Sequence, residues 1–200
     1  MSIKIADTAI IHPNVILGEN VVVEDYCIIG LPFKGMDQEK TVIGKDSVIR
    51  AGTYIYAGNQ IGENFQTGNK VNIRELNTVG NNVSIGTLSV IEHHIVIHNG
   101  ARIHSQVFIP EYSVLEEDCW VGPNVVLTNA LYPKHQSVKN DLKGAHIKQN
   151  AKIGANSTLL PGISIGKGCL IGAGSVVTKD IEDGVIAAGS PAKLFREIDY

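Results

Sequence analysis

Four polar residues with chemically useful side chains recur at intervals of eighteen along the chain: Glu75, His93, Glu111 and Asn129. A histidine is suited to accept and return a proton, because its unperturbed pKa of about 6.5 lies near the working pH. Carboxylate and amide groups beside it could orient the ring or bind a polar substrate. This set, the His93 column, predicts proton-transfer chemistry if the fold stacks residues that are eighteen apart.

An aliphatic residue at every sixth position supplies that fold. A period of six matches neither an amphipathic helix of period 3.6 nor a two-residue strand alternation. It is typical of a strand-and-corner unit repeated around a triangular coil. Fourteen of fifteen central positions are Ile, Val or Leu: Ile43, Ile49, Ile55, Ile61, Thr67, Ile73, Val79, Ile85, Ile91, Ile97, Ile103, Ile109, Leu115, Val121 and Leu127.

Two shorter series flank this central block, which runs from Ile43 to Tyr132. They occupy Ile5, Ile11, Leu17, Val23 and Ile29 before it, and Ile147, Ile153, Leu159, Ile165, Ile171 and Val177 after it. The 26 hexads predict an all-β parallel β-helix over residues 1–182, with between eight and nine coils spaced about 4.8 Å apart. Residues 31–42 and 133–146 break the register and are predicted to be external loops. Residues 183–200 form a tail in which AKLFREI predicts a short helix after Pro191.

Small residues recur four positions after the aliphatic, and Gly often follows it directly, which we interpret as a response to tight corners. Cys27, Cys119 and Cys169 occupy the small-residue position. We therefore expect three buried, reduced thiols, as in a cytoplasmic protein. The sequence contains no CxxC spacing that would indicate a metal or redox motif.

Composition excludes two classes of partner. The net charge of −3 and the lack of a basic run do not suggest nucleic acid. No segment reaches the roughly 18 uninterrupted apolar residues of a membrane span, so we expect no membrane insertion. The N-terminus lacks a signal-peptide cleavage pattern, which again favours a cytoplasmic location.

Several motifs resemble those of the hexapeptide-repeat, left-handed β-helix acyltransferases. They are IGANSTLLPGISIG, IGAGSVVTKDI, GSPAKLFR and VGPNVVLTNALYP. The last is most similar to nucleotide-sugar N-acetyltransferases, especially those that act on a 3-amino group. The resemblance implies a left-handed helix, a homotrimer and acetyl-CoA as acetyl donor, with no metal. It also implies an acceptor amine on a UDP- or dTDP-linked amino-deoxy sugar, feeding surface polysaccharide synthesis.

The resemblance also assigns roles in the His93 column. VIEHHIV is similar to segments of relatives in which the His is the general base, and this assigns that role to His93. Glu92, His94 or Glu111 could orient its ring, since the acidic residue that often follows the His is here His94. Asn129, or a backbone amide near Gly122, could bind the thioester carbonyl or the sugar. Amine delivery in the neutral form would leave positioning as the main contribution.

The remaining candidates are assigned by position. The small-residue groove for the coenzyme comprises Gly122, Gly154, Ala155, Gly172 and Ala173, and the cations expected to meet its phosphates are Lys179, Lys193 and Arg196. Glu75, Glu111, His94 and His104 are candidate contacts to substrate. The two loops are expected to cover the sugar nucleotide, with Lys134 or Lys139 near its diphosphate.

Four alternatives remain. The acceptor could be an amino acid, as in serine or tetrahydrodipicolinate acyltransfer. Sugar O-acetylation is disfavoured because Tyr132–Pro133 stands where the O-acetyltransferases carry a His-Pro pair, although His135 could substitute. A γ-type carbonic anhydrase zinc site would need a third ligand beside His93 and His98, and that position is Ala57. A non-catalytic β-helix scaffold is the fourth.

Overall fold

The computed structural model describes residues 2–35 and 38–198, and within them it contains 28 β-strands and no helix. Residue 1 of the predicted helix domain, residues 36–37 of the first predicted loop and residues 199–200 of the predicted tail lie outside the described residues. Most strands are two residues long and are separated by four-residue corners. The hexad is therefore a short strand followed by a turn, as the sequence predicts.

The strands form three sheets, one on each face of the coil. Sheet 1 contains β1 Lys4–Ile5, β4 Val22–Val23, β7 Val48–Ile49, β10 Gln66–Thr67, β13 Ser84–Ile85, β16 Arg102–Ile103, β19 Trp120–Val121, β22 Lys152–Ile153, β25 Leu170–Ile171, β27 Val185–Gly189 and β28 Ala192–Glu197. Sheet 2 contains β2 Ile10–Ile11, β5 Ile28–Leu31, β8 Tyr54–Tyr56, β11 Asn72–Ile73, β14 Val90–Ile91, β17 Phe108–Ile109, β20 Val126–Leu127, β23 Thr158–Leu159 and β26 Val176–Val177. Sheet 3 contains β3 Val15–Leu17, β6 Thr41–Ile43, β9 Gln60–Ile61, β12 Thr78–Val79, β15 Val96–Ile97, β18 Val114–Leu115, β21 His146–Ile147 and β24 Ser164–Ile165.

The strands pair in parallel with the eighteen-residue register that the sequence predicts, for example Asn72 with Val90 and Ile73 with Ile91. This is a parallel β-solenoid consistent with a left-handed β-helix. It has about ten turns rather than the eight to nine expected from the hexads, because β27 adds a rung to sheet 1. The aliphatic series fills the interior, and even the exception, Thr67, is buried and accepts a hydrogen bond from the Arg50 amide at 2.9 Å.

Glycine and asparagine serve different purposes at the corners. A Cβ atom on Gly44 would lie 2.5 Å from the backbone of Gly62 in the next coil, so Gly is required there by close stacking. Positive φ angles occur two residues later, at Asp46, Asn64 and Asn82. These residue types tolerate the left-handed conformation better than others do.

Both external loops leave the solenoid at the same edge, between sheet 2 and sheet 3. The first connects β5 to β6 and the second connects β20 to β21. Strand β5 includes residue 31 and β6 includes residues 41 and 42 of the first predicted loop, and β21 includes residue 146 of the second. The three free cysteines are buried.

The predicted helix in the tail is wrong. Residues 192–197 form β28, which pairs antiparallel with β27, while β27 pairs in parallel with β25. The reason is that the last coil leaves the edge of sheet 1 unpaired, and an open edge favours another strand over an isolated helical turn. Within the described ranges, no helix has the length and hydrophobicity to cross a membrane.

Candidate active site

The His93 column lies on the edge where sheet 2 turns into sheet 3. Glu75, His93 and Glu111 follow β11, β14 and β17, and Asn129 follows β20. The loop after β5 and the loop after β20 leave from this same edge on either side of the column. The backbone amide of Lys143 donates to the Asn129 carbonyl at 2.9 Å and closes the base of the second loop. The predicted stacking is therefore observed, and the loops bracket it along the solenoid axis.

His93 is partly buried and has different neighbours at its two ring nitrogens. Its Nδ1 lies 2.8 Å from Nδ1 of His94. Its Nε2 lies 3.7 Å from Oε1 of Glu111, which is too long for a direct hydrogen bond. One ring nitrogen is thus fixed by a neighbour, and the other faces a carboxylate across a small gap.

Glu111 occupies the space between His93 and Asn129. Its Oε2 accepts a hydrogen bond of 2.6 Å from Nδ2 of Asn129. The sequence predicts room for a small substrate group between residues of this column, but part of that room is taken by the Glu111 side chain. A polar group that entered here would therefore meet His93 and Glu111 together, with Asn129 behind the carboxylate.

Arg74 is a central residue of this edge that the sequence analysis does not single out. Its guanidinium makes two hydrogen bonds to Glu75, of 2.8 and 2.9 Å, and lies 3.5 Å from Glu92. It also lies over the rings of Phe33 and Tyr56, 4.7 and 5.1 Å from their centroids. Its position directly before the predicted Glu75 was the available signal. The contact to Phe33 could not be predicted, because Phe33 belongs to a loop outside the repeat.

These contacts settle where the other two acids of the edge point. Glu75 is 4% exposed and is paired with Arg74, so it supports the edge from within. Glu92 faces Arg74 and is not hydrogen-bonded to His93. Burial raises the pKa of the Glu92 carboxyl, and the charge of Arg74 partly opposes this. The residue that contacts Nδ1 of His93 is His94.

His104 lies on a different edge, after β16 of sheet 1. Its ring packs on Trp120 with centroids 4.6 Å apart, and its Nε2 accepts a hydrogen bond of 3.2 Å from Arg102. Burial and the charge of Arg102 both lower the pKa of His104. The structure therefore does not bring His104 together with His93.

The glycines of the predicted coenzyme groove lie on the same edge as His104. A Cβ atom on Gly122 or Gly154 would come within 2.8 or 2.5 Å of the backbone of the following coil, and one on Gly172 would meet the Ala188 side chain at 2.8 Å. Ala155 and Ala173 follow two of these glycines. Coil stacking alone is thus enough to require Gly here, and it leaves the groove lined by backbone and small side chains.

The predicted phosphate-binding cations lie at two places. Lys179 lines a cavity of about 270 Å³ between the last corner and the β27–β28 hairpin, and Lys193 and Arg196 are exposed on β28. Lys134 is exposed in the second loop, which leaves the solenoid at the edge that carries the His93 column. In the part of the chain that the structure describes, no group of three or more His, Cys, Asp or Glu could hold a metal ion.

The fold and the repeat place the chain among parallel β-solenoids built from hexapeptides. Residues 144–179 match the family described as bacterial transferase hexapeptide (six repeats). The match covers only this part of the chain and shows a similarity to hexapeptide transferases there.

Curated relatives include enzymes with different acceptors. The chain is 32% identical over 130 residues to a galactoside O-acetyltransferase of Escherichia coli, covering 61% of this chain and 64% of that protein. It is 47% identical over 53 residues to a 2,3,4,5-tetrahydropyridine-2,6-dicarboxylate N-acetyltransferase of Clostridium perfringens, covering 26% and 22%. The chain thus spans less than two thirds of these relatives.

Solved structures of similar fold cover most of the solenoid. A UDP-N-acetylglucosamine acyltransferase of Francisella novicida superposes with a TM-score of 0.79 at 16% identity, covering 96% of this chain and 69% of that one. This likeness concerns the fold alone.

Proposed function

We propose that the protein is an acetyl-CoA-dependent N-acetyltransferase whose acceptor is the amino group of a nucleotide-linked amino-deoxy sugar, with UDP or dTDP as nucleotide. The observation that carries the proposal is the arrangement of His93 and Glu111. A ring nitrogen and a carboxylate 3.7 Å apart face the same space on an edge bracketed by two loops. The named acetyltransferase relatives support the reaction class.

This arrangement suits an amine better than a hydroxyl acceptor. An amine arrives mostly as an ammonium ion, which Glu111 attracts, and His93 can take its proton through Nε2. His93 passes this proton to water, and the neutral nitrogen then attacks the thioester carbonyl of acetyl-CoA. The C–N bond forms, the C–S bond breaks, and a proton passes from the nitrogen through His93 to the departing thiolate. The products are the acetamide and CoA with a free thiol.

The second loop supports the same preference. Tyr132 stands where the O-acetyltransferases carry their His, and it is 70% exposed. The nearby His135 is hydrogen-bonded to Ser137 at 2.9 Å within the loop. A stronger base, which a sugar hydroxyl needs, is therefore missing at that position. The loops are proposed to hold the nucleotide, with Lys134 near the diphosphate.

An amino-acid acceptor is the second candidate, because one relative is named for a dicarboxylate substrate. The charge of the edge opposes it. Glu111 faces the space that the acceptor's own carboxylates would enter, and like charges at such distances repel. A nucleotide sugar carries its negative charge on the diphosphate, remote from its amine, and avoids that repulsion.

The assembly and the location belong to the same proposal. We propose a homotrimer in the cytoplasm with a role in surface polysaccharide synthesis, since the His93 column lies open on one chain and a neighbouring copy could enclose it. Three buried free thiols are compatible with a reducing compartment. Light scattering coupled to size-exclusion chromatography measures the assembly directly.

The test is release of the CoA thiol from acetyl-CoA against a panel of UDP- and dTDP-linked amino sugars, with serine and other amino acids alongside. We expect turnover on an amino sugar, a fall of about 10²–10⁴-fold in kcat for His93→Ala, and a smaller fall for Asn129→Ala. His98→Ala is the matched control, because His98 pairs with Glu117 on another edge. Turnover that survives His93→Ala would refute the base assignment. If the protein neither acetylates any acceptor nor binds acetyl-CoA, the result would favour a non-catalytic scaffold.

A further inference from the structure

Two adjacent histidines share one hydrogen bond at the corner after β14. His94 has a φ of 57°, and this left-handed conformation turns its side chain back towards His93. The two rings lie nearly perpendicular, at 82°, with their centroids 4.9 Å apart and their Nδ1 atoms 2.8 Å apart. Tyr112, one coil further on, lies against both rings, with centroids 5.8 Å from His94 and 6.1 Å from His93. The contact is therefore built by the corner and supported from the next coil.

A bond between two Nδ1 atoms restricts where the protons are. One nitrogen must donate and the other must accept, so the pair holds one proton between them. If His94 donates, neutral His93 carries its hydrogen on Nε2 and has no lone pair facing the acceptor. If His93 donates, its Nε2 lone pair is free. Only the second arrangement leaves His93 able to act as a base.

We propose that His94 is a positioning residue that accepts the Nδ1 hydrogen of His93 and so keeps the Nε2 lone pair directed at the acceptor amine. This inference rests on the proposed function of His93 as the base. The distance to Glu111 agrees with it, because at 3.7 Å the carboxylate does not hold a hydrogen on Nε2. The other oxygen of Glu111 accepts a hydrogen bond from Asn129. The exposed His94 can give its own Nε2 hydrogen to water.

A neutral imidazole differs from the carboxylate that usually orients a catalytic histidine. It accepts one hydrogen bond and adds no charge. It therefore fixes the tautomer of His93 but stabilises the His93 imidazolium less than a carboxylate would. It can also be protonated. When both rings carry two hydrogens, the Nδ1 contact becomes repulsive and the arrangement is lost. The acid limb of the rate profile should therefore belong to the coupled pair.

Other charged and titratable groups face this pair and would contribute to the same limb. Glu92 lies on the same corner as the two histidines, and it is paired with Arg74 from the preceding coil. Glu111 and Tyr112 face the pair from the following coil. All four groups remain in the variants described next, so a change in the shape of the limb would report on residue 94.

The test compares His94→Asn, His94→Asp and His94→Ala in the full chain, by the pH dependence of kcat/KM and by the imidazole nitrogen NMR spectrum. Asn and Asp tolerate the positive φ and retain an acceptor atom, so both should keep most of kcat. Ala should lose about tenfold or more in kcat, the lower part of what a positioned base contributes, with KM little changed. The acid limb should have the slope of a single proton in Asn, and it should lie at higher pH in Asp, because a carboxylate stabilises the imidazolium.

A merely structural role would lower thermal stability in Ala without changing the shape of the pH profile. Wild-type kcat and an unchanged profile in His94→Ala would overturn the proposal. So would an NMR spectrum in which His93 carries its hydrogen on Nε2. The spectrum needs no substrate, so it decides the His93–His94 bond even if no acetyl transfer is found, an outcome that would refute the proposed function instead.

Discussion

Replacing Arg74 by Met should destabilise the solenoid through the carboxylate it leaves behind. Glu75 is the one charged residue that is buried among the described residues, and Arg74 binds both of its oxygens. Removing one partner of a buried pair costs about 3–5 kcal/mol, because the other charge stays buried without compensation. At about 2–4 °C per kcal/mol for a chain of this size, the lower bound corresponds to a fall in Tm of about 6–12 °C.

A double-mutant cycle separates the charge from the packing. The pair Arg74→Met and Glu75→Gln removes both charges, so the double variant should be more stable than Arg74→Met alone. The matched control is Arg50→Met. Arg50 pairs with Glu24 at 3.0 Å, but about half of its side chain is exposed, and such pairs contribute about 0–1 kcal/mol.

The assay is denaturant unfolding followed by circular dichroism, with limited trypsin digestion beside it. Arg74 also holds the ring of Phe33, so the first loop should be cut faster after Lys34 in the variant. If Arg74→Met loses no more stability than Arg50→Met, the buried carboxylate is not dependent on Arg74 and the reasoning fails. Slower or equal cleavage after Lys34 would refute the role in holding the loop.

Three further predictions follow from burial and stacking. Burial opposes ionisation of Glu116, but hydrogen bonds from a backbone amide and from His146 outweigh burial and lower the pKa of this carboxyl. The ionised carboxylate should therefore stabilise the fold above about pH 4.5, and this stabilisation should be lost as the pH falls below that value. The Tm of Glu116→Gln should accordingly depend less on pH than that of the wild type. Burial raises the pKa of Cys119 to about 12, so this thiol should resist alkylation at pH 8 in the folded protein and react after denaturation, as mass spectrometry can show. Gly154→Ala should cost about 3 kcal/mol through backbone overlap at 2.5 Å, against about 1 kcal/mol for Gly168→Ala, where only a positive φ is disturbed; equal losses by denaturant unfolding would contradict the stacking argument.

The period of six explains why so much of the fold could be predicted. Every hexad has the same strand and turn. An exception to the aliphatic series, such as Thr67, therefore does not shift the register of the next hexad. The eighteen-residue spacing then places Glu75, His93 and Glu111 on one edge without any knowledge of side-chain contacts. The same spacing also puts both loops at that edge.

Features outside the repeat could not be obtained in this way. The helical pattern of residues 192–197 is a weak local preference, and the open edge of sheet 1 overrides it. Arg74 contacts the ring of Phe33, which lies in the first loop and therefore outside the repeat. The pairing of His93 with His94 depends on the positive φ of His94, which could not be predicted from the residue type.

Local charge distinguishes His93 from His104, two of the histidines that the sequence offers as site residues. A base that takes a proton from an ammonium becomes an imidazolium, so it is useful only where its surroundings favour that cation over the neutral ring. His104 accepts a hydrogen bond from the cation of Arg102, which opposes a second charge there. His93 instead faces Glu111, and its Nδ1 lies 2.8 Å from Nδ1 of His94. The same residue type, on the same repeat, therefore contacts a cation on one edge and faces a carboxylate on the other, which supports the base role proposed for His93 rather than for His104.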